Sequence, residues 1–78
     1  MNNEQFLKMN EELVKISLAI EAGDKEEEML AMLNNNIDYL NIQIDYTQQE
    51  HPSDNLNEYY TLVNLCLLHY RARDLFLL

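Results

Sequence analysis

Seventy-eight residues make at most one domain, and a chain this short buries only about 60% of the surface it exposes when unfolded, so its own core is marginal. Fourteen acidic residues against five basic ones leave a net charge of −9, which argues against the binding of phosphate backbones and of anionic membrane surfaces. One glycine, one proline and one cysteine exclude a glycine-rich phosphate loop and an intramolecular disulfide, and they point to a few long helices rather than a sheet.

The first helix is expected over about residues 3–22, capped by Asn2 or Asn3, with Glu4 favoured by the positive end of the helix dipole. Phe6, Met9, Leu13, Ile16 and Ile20 step by three and four, the seam of a coiled-coil-like pairing. Leu7, Val14 and Leu18 widen that apolar face toward a second neighbour. Gly23 can take the left-handed conformation that ends a helix, and Asp24 with Glu27 makes a capping-box-like start for the next.

The second helix is expected over about residues 25–48, with Leu30, Leu33, Ile37, Leu40 and Ile44 repeating the spacing, so that it pairs antiparallel with the first. Met32, Tyr39, Ile42 and Tyr46 form another stripe, while the triplet Asn34, Asn35 and Asn36 marks a potential kink in mid-helix. Glu50 to Ser53 is a break centred on Pro52, after which Ser53 or Asp54 caps a third helix over about residues 54–77. That helix is apolar nearly all round. Tyr60, Val63, Leu67, Tyr70 and Leu77 mark one face, Leu65, Leu68, Ala72 and Leu75 another, and the sequence leaves open which docks inward.

The fold class is therefore all-α: one domain over 1–78, an antiparallel helical hairpin of the first two helices plus an amphipathic C-terminal helix. The hairpin can satisfy itself, whereas the third helix has two apolar faces and can cover only one of them. The residues expected at a partner interface are Tyr59, Tyr60, Leu62, Val63, Cys66, Leu67, Tyr70 and Leu77. Cys66 and His69 lie three apart and read as a buried thiol beside a partly exposed histidine, too few ligands for a zinc site. Paired acids such as Glu11 and Glu12 read as solvated surface, so neither a catalytic residue nor a cofactor is expected.

The start MNNEQF has an acid where a secretory signal needs basic residues, and the aliphatic runs are too short to span a membrane, so a cytoplasmic location is expected. These features describe a non-enzymatic interaction module, a chaperone or adaptor subunit that buries its third helix on a protein partner. A self-contained homodimer and an acidic inhibitor from a phage or mobile element, occupying a basic or nucleic-acid-binding surface, are the alternatives.

The order of parts, with Asn57-Glu58-Tyr59-Tyr60 opening the final helix, resembles the small co-chaperones of type III secretion needle subunits. The resemblance implies a larger tetratricopeptide-like chaperone as partner, the two together holding an aggregation-prone needle subunit. It also implies that Tyr60, Val63, Leu67 and Tyr70 belong to one contact face.

Overall fold

The computed structural model describes residues 2–50 and 56–78, apart from the side chain of Glu50. Among them the chain forms three helices, α1 (Asn3–Glu21), α2 (Glu27–Glu50) and α3 (Leu56–Phe76), with no strand. The proline break and the cap expected at Ser53 or Asp54 lie outside the described residues.

Local chemistry sets the first two boundaries. The Asn2 side chain accepts a hydrogen bond from the Gln5 backbone N–H at 2.8 Å, satisfying one of the orphan donors at the start of α1. At its other end Gly23 adopts φ +78°, Gly23 N–H donates to Ile20 O and Asp24 N–H donates to Ala19 O, the reciprocal pair of a Schellman motif. Two residues, Lys25 and Glu26, then separate this motif from α2, which begins at Glu27. Asp24 is therefore part of the turn and not the cap of α2, and the first turn of α2 is built on Glu26 O accepting from Met29 N–H, with Glu27 and Glu28 at the positive end of the dipole.

The three helices run up, down and up. Tyr39 Oη donates to Gln5 Oε1 at 2.7 Å, tying the middle of α2 to the start of α1. Arg73 near the end of α3 reaches Asn34 near the start of α2, so α2 and α3 are also antiparallel. The closest pairing is α2 with α3, and α1 lies more loosely across both. α1 and α2 run antiparallel as expected, and the most extensive packing in the bundle is that of α2 on α3. Both helices carry a regular seam, but the bulk of the α2 seam meets the larger apolar surface of α3 rather than that of α1.

The core sits on this axis. Leu33, Leu40 and Leu62 are fully buried, and Met9, Leu13, Ile16, Leu65, Cys66 and Ala72 close around them. Phe6, Ile20 and Ile44, the flanking seam residues, are partly buried against the cluster. The 3.6-residue period thus places the seam residues of α1 and α2 inward as their spacing predicts.

Candidate functional site: the outer face of the third helix

The inner face of α3 is made of Leu62, Leu65, Cys66, His69 and Ala72, all buried. Residues half a turn away face outward: Tyr60, Leu67, Leu68 and Leu75 are exposed large hydrophobic residues, Leu67 at 59%, and Leu78, two residues past the end of the helix, is exposed too. Successive residues of a helix are 100° apart, so these two sets occupy opposite sides of the same cylinder. A helix with one wet side would carry mainly polar residues there; α3 instead sets aliphatic ones among the exposed Asn57, Asn64, Arg71 and Asp74.

This division differs from the two heptad faces read from the spacing. Leu65 and Ala72 go inward while Leu68 and Leu75 go outward, although all four fall on one expected face. Of the eight interface candidates, Leu62 and Cys66 lie in the core, and Tyr59, Val63 and Tyr70 are half-buried. Tyr60, Leu67 and Leu77 are exposed. The ring of Tyr60 stands edge-on to that of Tyr59, with centroids 5.5 Å apart, so the two tyrosines form one contiguous aromatic edge at the start of the helix.

What orients the outer face is a row of polar contacts on the flank of α3. Arg73 Nη1 donates to Asn34 Oδ1 at 2.9 Å, and its guanidinium lies 4.9 Å from the centroid of the Tyr70 ring, a cation–π contact. Asn41 Nδ2 donates to Tyr70 Oη at 3.1 Å. His69 is fully buried rather than partly exposed. A carbonyl oxygen can only accept, so His69 Nδ1 donates to Leu65 O at 2.8 Å, and Nε2 accepts from Asn36 Nδ2 at 3.3 Å. Two of the three asparagines therefore hold α2 to α3 through side-chain bonds. The helix runs unbroken through the triplet, and these bonds are what the residues contribute in return for their poor helix propensity. The signal available in the sequence was the coincidence of amides on α2 with the only arginines and a histidine on α3.

Burial pushes the Cys66 thiol above its ordinary value, with the positive charge of Arg73 pulling the other way. A thiol so placed is a weak nucleophile. Cys66 and His69 share the buried side of α3, and among the described residues no group of three or more His, Cys, Asp or Glu is placed to hold a metal ion. A groove of about 520 Å³ between the loosely paired α1 and α2 has Met9 and Met32 among its walls with Lys8, Glu12 and Glu28. Its lining contains no serine, cysteine or histidine, so it lacks the nucleophile and base pairing of acyl-transfer sites.

Charge is divided as sharply as hydrophobicity. Residues 1–50 hold eleven acids against three lysines, a balance of minus eight, whereas α3 sets Glu58 and Asp74 against Arg71 and Arg73, a balance of zero. Among the described residues no helix is long and apolar enough to cross a membrane. Comparison with family models, with curated proteins and with solved structures finds no match.

Proposed function

We propose that this chain is a non-enzymatic helical interaction module, of the co-chaperone or adaptor kind and working in the cytoplasm, that buries the outer face of α3 against another protein chain. The observation that carries the reading is the exposure of Tyr60, Leu67, Leu68 and Leu75 on the side of α3 turned away from the core. Binding would proceed by apolar burial alone: leucine and tyrosine displace water, and no bond is made or broken. The resemblance to type III secretion co-chaperones adds the kind of work such a face would do, shielding a chain prone to aggregate.

The test is affinity purification of the full chain from its native host beside the Leu67→Asp variant. Leu67 is exposed in the free chain, so the substitution should leave helical circular dichroism intact while removing the bound protein. Retention of the same bound protein by the variant would overturn the reading.

A second reading is an acidic inhibitor that occupies a basic or nucleic-acid-binding surface. It is favoured by the concentration of negative charge in α1 and α2. Salt separates the two: affinity carried by charge falls steeply as ionic strength rises, while affinity carried by the leucines of α3 holds.

A further inference from the structure

We propose that the outer face of α3 is the seam of a two-fold antiparallel homodimer, in which Leu67 of each chain packs against Leu78 of the other and Arg71 against Asp74. The inference rests on the reading of that face as an interface and names its occupant, a second copy of this chain.

Three observations favour a second copy over an unrelated protein. The first is charge. Two chains that each carry −9 repel one another wherever their acidic helices meet, but α3 is neutral, and pairing through it turns α1 and α2 of both chains outward. The second is self-complementarity, the condition a two-fold interface must meet, since every patch is its own partner. Arg71 and Asp74 are both exposed on α3 and opposite in charge, so a two-fold axis between them sets each arginine against the partner's aspartate twice over. The third is register. The midpoint between positions 71 and 74 is also the midpoint between 67 and 78, so the same axis that pairs the charges pairs two exposed leucines across the seam. A strongly basic partner would meet the arginine, and a strongly acidic one the aspartate, leaving one of them against its own sign.

The helical part of the overlap, Leu67 to Phe76, runs about 14 Å at 1.5 Å per residue. A seam of that length belongs to the small, exchangeable class of interfaces, with dissociation expected at roughly micromolar concentration. Reversibility suits a module that gives up its own copy to take another partner.

Sedimentation velocity and light scattering on the full chain, from about 1 to 200 μM, should show the mass rising from 9.3 kDa toward twice that value. Leu67→Asp should hold the chain at the monomer mass with its helical circular dichroism unchanged. Arg71→Asp and Asp74→Arg should each weaken the dimer by roughly tenfold, and the double exchange should restore it, because the charges then meet in reversed order. A folded chain that is monomeric throughout, a dimer indifferent to Leu67→Asp, or single charge variants that the double exchange does not rescue would each overturn the homodimer. If the monomeric chain still captures another protein in a manner abolished by Leu67→Asp, the homodimer falls and the interface reading stands; if no such capture occurs, both fall.

Discussion

Gly23 shows what one residue contributes when no side chain is involved. Its φ of +78° lies in the left-handed region, and that conformation lets two carbonyls at the end of α1 find donors in the turn. A Cβ built at this position meets nothing within 4 Å, so substitution here carries a conformational cost and no steric one. Gly23→Ala should therefore destabilise the chain by about 1–2 kcal/mol, the penalty of an L-residue in that region. In a domain of this size the thermal midpoint should drop by about 4–8 °C per kcal/mol, which a circular dichroism melt will read. Gly23→Asn should cost less, since asparagine visits the left-handed region more readily, and an equal loss for both variants would contradict the argument. Gly23 was legible in the sequence and the cap of α1 was narrowed there to Asn2 or Asn3, because each depends on local backbone chemistry. His69 was not. Its burial depends on Asn36, which lies 33 positions away and is brought beside it only by the packing of α2 on α3.

At the scale of elements the decisive pairing is α2 with α3, held by leucines in the centre and by side-chain bonds that include Asn34 with Arg73, Asn36 with His69 and Asn41 with Tyr70. Removing one partner of such a bond leaves the other unsatisfied, and the desolvation of that orphan is the larger part of the cost. His69→Leu should accordingly destabilise the chain by about 1–3 kcal/mol, and adding Asn36→Leu should recover part of the loss, since both ends are then apolar. Denaturant unfolding of the two single variants and the double one measures the coupling, and strictly additive losses would show that the bond carries none. The seams of α1 and α2 were readable from spacing alone. The choice of partner was not, because two helices with equally regular seams offer the same periodicity to any neighbour. The inner face of α3 was hidden for a related reason: a helix apolar on both sides has no stripe to read.

The whole molecule is a bundle 42 Å long with its charge gathered on two of its three helices. Like charges within a few ångströms of one another oppose compaction, and salt shortens their reach from about 30 Å at 0.01 M to about 8 Å at 0.15 M. Raising sodium chloride across that range should therefore raise the thermal midpoint of the chain, by a few degrees at the scale of surface electrostatics. A midpoint that falls instead would mean that attractive surface pairs outweigh the repulsion. Composition and periodicity by themselves determined that the chain is helical, where its first turn lies, which residues of α1 and α2 face a core, and that α3 has more apolar surface than one neighbour can cover. Those properties are local or nearly so, repeating every three or four residues along the chain. Tertiary structure decided that α2 pairs most closely with α3, that the asparagine triplet bonds across to it without breaking the helix, and that Leu67, Leu68 and Leu75 face outward while Leu62, Leu65 and Cys66 face in. On a helix apolar all round, that choice is made by which face fits the core formed by the other two helices, and such a fit exists only once all three are assembled.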